Sequence, residues 1–424
     1  MADLEYELKT EGFSIKHNSI THRMEFEYPK EYLEKYHDNW ETCLPIHLHD
    51  VLQDTYSGTT QQNISDYLIA IASKHAYNPV RDRIEQTKWD GTDYLAQYCD
   101  TILCLPHDEE SDFSRVLVRK WLCQTLALAL YNGEMDDKGR CKTFDTAGVL
   151  VLQCGQGMGK TTLAKHLAFN DNGIYKTGVF IDSKKIDTII MATGTWICEL
   201  GELEQTMTKN EAGYLKAFIT RELDEYRLPY GKNYPQTPRH TSFLATCNPE
   251  QFLNDPTGSR RYWVVPLKKI DLYASERFDY GQLWAQIHEI VKDYHSGNVD
   301  IALPDGTTKH SNIGDAFHLT YQEQQTLEAR NAPHQVRISA EDELREIKST
   351  AEEQTDDYVT IPMLASEILL QHNTLSHYTV TKIGKALTAM RAETTVLHGS
   401  KFYSFPCRKV CLLDTVFGKK KSKH

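Results

Sequence analysis

Hydrophobic and polar residues alternate along this 424-residue chain with a period that changes several times. Apolar side chains recur at helical spacing over residues 63–77 and 113–131, which predicts two helices, and Asn78–Pro79 ends the first. Between residues 146 and 269, short continuous apolar runs alternate with helical patterns. The runs lie at 148–153, 195–200, 242–247 and 261–266. This order predicts an α/β fold in which helices cover a mainly parallel sheet.

The pattern changes again near the end of the chain. A helix is predicted over residues 361–372, and a second helix follows a short turn. The positions of this second helix that we expect to face inward are Val380, Ile383, Leu387 and Met390. Its outer face carries Lys382 and Lys385, and a hairpin around Gly399–Ser400 follows. This order predicts a winged helix-turn-helix whose two lysines contact DNA. A module that only packs or holds subunits together is the alternative.

Charge is distributed unevenly along the chain. The formal net charge is −12, whereas the residues from Ser376 to the end contain ten Lys or Arg and two Asp or Glu. A basic end on an acidic chain predicts one dedicated polyanion-binding region. Residues 341–357 contain eight acids, which indicates a charged linker or a solvated helix.

Composition excludes several other classes of protein. No apolar run approaches the length of a membrane-spanning helix, and the first residues lack the features of a signal peptide. The ten cysteines are scattered without a Cys-x-x-Cys pair, so we expect free thiols and no metal site built on cysteine. We therefore expect a cytoplasmic protein with no membrane partner.

Residues 148–162 combine a buried-strand run, a glycine-rich turn and the start of a helix. Glycines let backbone N–H groups approach phosphate oxygens, and the helix adds the positive end of its dipole. Lys160 would reach the β- and γ-phosphates of ATP, and Thr161 would hold Mg²⁺. The predicted nucleotide-binding residues are Gly155, Gln156, Gly157, Met158, Gly159, Lys160, Thr161 and Thr162. Cys154 stands where the pattern G-x-x-x-x-G-K-[ST] has its first glycine.

Hydrolysis also needs an acid for Mg²⁺, a group that orients water and a cation that stabilises the transition state. Glu199 and Glu202 stand at the end of an apolar strand, and we expect one to hold Mg²⁺ and the other to polarise water. Asn248 ends the next strand and is expected to sense the γ-phosphate. Arg260 and Arg261 follow a glycine turn, which suits a finger that reaches a neighbouring subunit. Surface glutamates and a structural salt bridge are the alternatives.

Residues 226–240 contain no acid, although the chain is acidic overall. Tyrosines interleave with basic residues there, and prolines and a glycine favour a loop or hairpin. Aromatic and basic side chains together suit single-stranded nucleic acid. The predicted contacts are Tyr226, Arg227, Tyr230, Lys232 and Arg239. The alternative is a structural hairpin that packs on residues 216–219.

Five motifs, in this order, resemble the virulence-associated protein E family. They are Gly-Gln-Gly-Met-Gly-Lys-Thr at 155–161, Trp-Ile-Cys-Glu-Leu-Gly-Glu-Leu at 196–203, Leu-Lys-Ala-Phe-Ile-Thr-Arg with Asp-Glu-Tyr-Arg-Leu-Pro-Tyr-Gly at 215–231, Ala-Thr-Cys-Asn at 245–248, and Phe-Leu-Asn-Asp with Gly-Ser-Arg-Arg-Tyr-Trp at 252–263. The resemblance covers about residues 60–290 and implies a superfamily 3 helicase-like ATPase of the AAA+ class, carried by phages, prophages and phage satellites. It implies the nucleotide, metal and arginine-finger roles given above for Lys160, Thr161, Glu199, Glu202, Asn248, Arg260 and Arg261.

These features predict an ATP-dependent DNA helicase or translocase that replicates a phage or another mobile element in a bacterial or phage-infected cell. ATP and Mg²⁺ are the expected cofactors. A homo-oligomer, expected to be a hexamer, would hold single-stranded DNA in a central pore, and a separate primase would act beside it. An ATP-regulated replication initiator with little unwinding and a P-loop small-molecule kinase are the alternatives.

Five segments follow from these patterns. They are an irregular or β-containing lead at 1–60, a helical domain at 61–140, a P-loop AAA+/superfamily 3-like ATPase domain at 141–335, an acidic linker at 336–357 and a basic winged-helix-like domain at 358–424.

Overall fold

The computed structural model divides into two compact units, residues 1–335 and 336–424, and each is described by itself. The residues it describes are 2–52, 60–155, 157–182, 184–201, 209–225, 236–247, 252–253, 259–302, 307–334, 340–353, 357–375, 378–397 and 400–408.

The first helices and strands share a small core of their own. Helices α1 (Ala2–Thr10), α2 (Lys30–Tyr36), α3 (Trp40–Leu52) and α4 (Gln61–Lys74) pack with a sheet of β1 (Ser14–Asn18), β2 (Arg23–Glu27) and β3 (Ala76–Tyr77). Leu8, Phe13, Leu48 and Leu68 are buried together in this core. The predicted boundary at residue 60 is therefore wrong, because α4 buries its apolar face against the preceding segment.

The helices that follow belong to the central sheet. They are α5 (Pro79–Glu85), α6 (Tyr94–Gln97) with the π-helical turn Tyr98–Ile102, and α7 (Glu109–Leu130). Trp121 of α7 donates its indole N–H to Phe243 O at 2.8 Å, and Gln124 donates to Gly148 O at 2.9 Å. A separate helical domain at 61–140 is thus contradicted, since α7 is part of the sheet's core.

A five-stranded parallel sheet forms the centre of the first unit in its described part. Its strands are β4 (Val149–Gln153), β5 (Tyr175–Val179), β6 (Ile197–Leu200), β9 (Ser242–Cys247) and β10 (Tyr262–Pro266), in the order β10-β4-β9-β6-β5; β7 (Leu223–Glu225) and β8 (Gln236–Pro238) form a separate antiparallel pair. Four of these strands and their parallel pairing were predicted. The edge strand β5 was not predicted, because Lys176 and Gly178 interrupt its apolar run.

Helices cover both faces of this sheet. On one face, α8 (Lys160–Leu167) packs with α7, and on the other lie α9 (Ile186–Thr193) and α10 (Lys209–Ile219). Alternate residues of β4 enter the two cores, as the period of a strand requires: Leu150 and Leu152 face the first, Val149 and Val151 the second.

After β10 the chain adds helices to the α8 side. These elements are α11 (Leu272–Arg277), α12 (Tyr280–His295), the antiparallel pair β11 (Asp300–Ala302) and β12 (Thr308–His310), and α13 (Tyr321–Asn331). Trp284 of α12 donates to Leu167 O at 2.8 Å, which anchors the end of α8. The β11–β12 pair lies between α12 and α13 in the chain.

The second unit begins with a helix. It consists of α14 (Ala340–Glu353), β13 (Tyr358–Met363), α15 (Ala365–Gln371), α16 (Val380–Ala389), β14 (Thr394–Leu397) and β15 (Ser400–Arg408), with an antiparallel sheet in the order β13-β15-β14. Leu344 of α14 is buried in one core with Ile383 and Phe405. The predicted acidic linker at 336–357 is therefore wrong: apolar residues on one face of α14 make it part of this unit.

Other details of the second unit also differ from the prediction. Residues 358–363 form a strand, so the helix predicted from 361 begins at Ala365. Ile383 and Leu387 face inward as predicted, whereas Val380 is 45% exposed. No helix in the described part of either unit has the length and apolar character needed to cross a membrane.

Candidate nucleotide-binding site

The predicted phosphate-binding loop begins where β4 ends, at the sheet edge formed by the carboxyl ends of the parallel strands. Gly159 precedes α8 with a φ of 82°, and a Cβ there would lie 2.4 Å from Leu272 Cδ1. Gly157 has a φ of 77°, and a Cβ there would meet no atom within 4 Å. Both positions need glycine for their backbone conformation, and Gly157 faces open space where a phosphate can approach.

Lys160 lies inside the curve of this loop. Its side chain is buried, and Nζ donates to Cys154 O at 2.7 Å, Gly155 O at 3.2 Å and Cys247 O at 3.4 Å. The ammonium is therefore held between the ends of β4 and β9, at the position where the loop would surround phosphate oxygens.

Cys154 occupies its unusual position without strain. It is not among the described residues with positive φ, so its backbone does not require glycine. Its N–H donates to Cys247 O at 3.3 Å and its carbonyl accepts from Lys160. Burial raises the pKa of the thiol, which keeps it neutral beside the ammonium. The substitution thus preserves the backbone contacts of the loop.

Glu199 joins the loop from a different strand. Ile197 of β6 faces the α8 side of the sheet, so Glu199, two residues on, faces that side too. Thr161 donates its hydroxyl to Glu199 Oε1 at 2.9 Å. Glu199 is 2% exposed, and Thr246 of β9 donates to the same oxygen at 3.3 Å. The structure therefore brings together the two residues predicted to hold Mg²⁺.

This donor set fits a magnesium nucleotide. Mg²⁺ prefers oxygen ligands and is usually held by one or two protein groups together with substrate phosphates. In the described residues no group of three or more His, Cys, Asp or Glu could hold a metal alone. A cavity of about 330 Å³, lined by Gly155, Leu105, Pro106 and Pro266 among others, adjoins the loop. Its size and partly apolar walls suit the nucleoside end of a ligand.

Arg260 and Arg261 lie at the opposite end of the parallel strands, where β10 and β4 begin. They precede β10, whose Tyr262 pairs with Val149 at the start of β4 and whose Pro266 pairs with Gln153 at its end. The four residue steps from the start of β10 to its end span roughly 13 Å. This distance exceeds the length of an arginine side chain. Neither arginine can therefore reach the phosphate-binding loop of its own chain.

The surroundings of the two arginines are polar. Both line a cavity of about 400 Å³ with Asp145, Glu222 and His318 among others. Arg261 Nε is buried and has no hydrogen-bond partner among the residues that the structure describes. Burial, followed by the neighbouring Arg260, lowers the pKa of Arg261. The described residues thus leave this guanidinium with bonding capacity for an additional anion.

Arg239 was predicted to contact nucleic acid, and the structure contradicts this. Its side chain is fully buried, forms an ion pair with Asp224, and donates to Phe218 O and Ile219 O. Its guanidinium also stacks over the Phe218 ring, 4.6 Å from the centroid. For this residue, the alternative of a structural segment that packs on 216–219 is correct.

The remaining predicted residues divide into two groups. Met158 and Thr162 lie in the phosphate-binding loop and in α8, and Lys382 and Lys385 are exposed on α16. Seven residues lie outside the described part of the chain, and they are Gln156, Glu202, Tyr226, Arg227, Tyr230, Lys232 and Asn248.

Sequence reasoning missed part of the site. Tyr175 and Thr177 of β5 donate hydroxyl hydrogens to Glu199 Oε2 at 2.8 and 2.5 Å. Their strand has no continuous apolar run, so only the alternation of Tyr175 and Thr177 on one face could have indicated them.

Comparison with known proteins identifies the family. The model of the virulence-associated protein E-like domain matches residues 84–331, more than half of the chain. The chain belongs to this family. The resemblance carried by the five sequence motifs is thereby confirmed.

The solved structures that match the chain are distant in sequence. Two apo structures of the NrS-1 C-terminal region, both in the A form, have 11% and 12% identity and TM-scores of 0.43 and 0.44. Each comparison covers 95% of this chain and 98% of the other. No curated protein matches the chain.

Proposed function

We propose that this virulence-associated E family member is an ATP-dependent DNA helicase or translocase that acts in replicating a phage or related mobile element. The observation that carries the proposal is the 2.9 Å hydrogen bond from Thr161 to Glu199 beside the buried ammonium of Lys160. An incidental glycine-rich turn would not explain why the start of one helix meets a buried acid from another strand. The pairing is what an ATPase of the P-loop class needs.

The residues divide the chemistry between them. The backbone from Gly157 to Thr161 would bind the ATP phosphates, with Lys160 neutralising their charge. Thr161 and Glu199 would hold Mg²⁺, which lowers the charge on the phosphates when bound. Glu202 remains our candidate for orienting the attacking water.

The position of the arginines supports a ring. Arg260 and Arg261 lie at the end of the strands that is far from the phosphate-binding loop of their own chain. They would therefore complete the site of the next subunit and stabilise charge in its transition state. A closed homo-oligomer, which we propose is a hexamer, gives every site such a neighbour.

DNA contacts would come from two parts of the chain. Residues 226–235, with their tyrosines, Arg227 and Lys232, are proposed to line the pore and stack on single-stranded DNA. The order helix, strand, two helices and hairpin in the second unit supports a winged helix, with exposed Lys382 and Lys385 on α16. This unit is proposed to load the protein on DNA.

The decisive experiment measures ATP hydrolysis with and without single-stranded DNA, together with strand displacement from a forked duplex. We expect Lys160→Ala to abolish hydrolysis and displacement, because the phosphates lose their buried cation. Lys165→Ala, which changes a lysine of the same helix, is the matched control and should retain both. Hydrolysis without strand displacement would favour a replication initiator. Transfer of phosphate to a small molecule, at a rate that DNA does not change, would favour a kinase and refute the proposal.

A further inference from the structure

The carboxylate of Glu199 is held by hydroxyl groups on both oxygens. Oε1 accepts from Thr161 and Thr246, and Oε2 accepts from Tyr175 at 2.8 Å and Thr177 at 2.5 Å. A carboxylate offers about four acceptor positions, so these donors fix its orientation, and the 3.3 Å contact from Thr246 is the longest and the one that Mg²⁺ or a water bound to it would replace. The described residues include no Lys or Arg in a salt bridge with Glu199. The hydroxyls therefore stabilise a buried negative charge that would otherwise be costly.

Two of these donors come from the edge strand β5. Tyr175 pairs with Ile197 in the parallel register, and the register shifts between Lys176 and Val179. Gly178, at that shift, has a φ of 63°. A local irregularity of this kind redirects side chains next to functional sites. Here the register shift lies next to Thr177, whose hydroxyl bonds the same oxygen, Glu199 Oε2, as Tyr175 two residues earlier.

The two oxygens of Glu199 have different surroundings in consequence. Oε2 is fixed by the edge strand, and Oε1 is thereby directed toward the hydroxyl of Thr161. Because that hydroxyl uses its hydrogen to bond Glu199, its lone pairs are left for another partner. A threonine that donates to a fixed carboxylate is oriented to act as an oxygen ligand.

We propose that Tyr175 and Thr177 are positioning residues for Mg²⁺, acting through Glu199 on the Thr161 hydroxyl. The inference rests on the proposed nucleotide site and adds the edge strand to it. Groups that hydrogen-bond metal-binding carboxylates typically change metal affinity or activity roughly 10- to 100-fold when removed.

Tyr175 is also suited to this task by its packing. The residue is 3% exposed and packs in the core on the α8 side. The hydroxyl can thus be removed in Tyr175→Phe while the packing of the ring is kept.

The test measures binding of a non-hydrolysable ATP analogue by calorimetry, with Mg²⁺ and with a chelator. For Tyr175→Phe and for Thr177→Val we expect about tenfold weaker binding with Mg²⁺ and unchanged binding with the chelator. The Mg²⁺ concentration for half-maximal hydrolysis should rise by a similar factor. Thr177→Ser should restore wild-type behaviour, because it keeps the hydroxyl.

Tyr280→Phe is the matched control. Tyr280 is also buried and loses a hydroxyl that lies 2.6 Å from Ser275 Oγ, so it should leave Mg²⁺ dependence unchanged. If Tyr175→Phe lowers the melting temperature, the exposed Thr177 provides the Val and Ser pair that decides the question. Wild-type Mg²⁺ dependence in both Tyr175→Phe and Thr177→Val would overturn the inference alone. Failure of the wild-type protein to bind the analogue would refute the proposed function instead.

Discussion

Replacing Arg239 by alanine separates a structural role from a nucleic-acid role. The guanidinium is fully buried, and its removal would leave the carboxylate of Asp224, itself 3% exposed, without its charge partner. Breaking a buried pair by removing one member typically costs about 3–5 kcal/mol. The backbone acceptors Phe218 O and Ile219 O also lose their donor. We therefore expect the free energy of unfolding of the first unit to fall by about 3–5 kcal/mol.

Urea unfolding followed by tryptophan fluorescence measures this quantity selectively. All six tryptophans of the chain lie before residue 336, so the signal reports on the first unit. Asp224→Ala should cost a similar amount, and the double variant should cost far less than the sum of the two single changes, because the pair acts as a unit.

The opposite result would identify a DNA contact. An Arg239→Ala protein with unchanged urea midpoint, but with weaker DNA binding and a shallower dependence of affinity on salt, would refute the structural role. Arg221→Ala is the control, since Arg221 lies over Phe218 and Tyr214 and has no ion pair among the described residues.

Three further predictions address the site and the two units. Glu199→Gln should weaken Mg²⁺-dependent binding of an ATP analogue at least as strongly as Tyr175→Phe, because an amide nitrogen cannot accept from the surrounding hydroxyls; equal binding by calorimetry would contradict the metal role. Inactive Lys160→Ala protein mixed with inactive Arg261→Ala or Arg260→Ala protein should regain hydrolysis, since mixed junctions combine an intact loop with an intact arginine; a mixture no more active than its parts would place the site within one chain. Removing residues 336–424 should weaken DNA loading and keep basal hydrolysis, and unchanged DNA affinity in an electrophoretic mobility assay would exclude the second unit as the loading module.

The residues at the ends of buried strands were predictable from sequence. The run 148–153 and the glycines after it indicated a strand, a turn and a helix, and the structure places Lys160 and Thr161 as that order requires. Glu199 was predicted because it ends an apolar run, and carboxyl ends of parallel strands meet at one edge. Local pattern and topology agree at these positions, so each supports the other.

Long-range pairing explains what the sequence did not indicate. The segment around Arg239 has the composition of a nucleic-acid contact, since it contains tyrosines and basic residues. Its partner Asp224 is fifteen residues earlier in the chain, on β7, which pairs with the strand β8 that ends just before Arg239. The acids of α14 similarly obscured Leu344, whose burial depends on Ile383 and Phe405 further along the chain. A charged segment is exposed or packed according to partners that its own composition does not specify.

The same reasoning explains why Glu199 could be predicted from the sequence while Tyr175 and Thr177, which hydrogen-bond it, could not. A strand buried on both faces needs a continuous apolar run, whereas an edge strand can carry Lys176 and Gly178 at little cost, because one side has no neighbouring strand. That freedom admits hydroxyl residues where a central strand would need apolar ones. Tyr175 and Thr177 use it to reach a buried carboxylate from the side. In a site at the carboxyl ends of parallel strands, the outermost strand is therefore the place to look for groups that hold the catalytic acid.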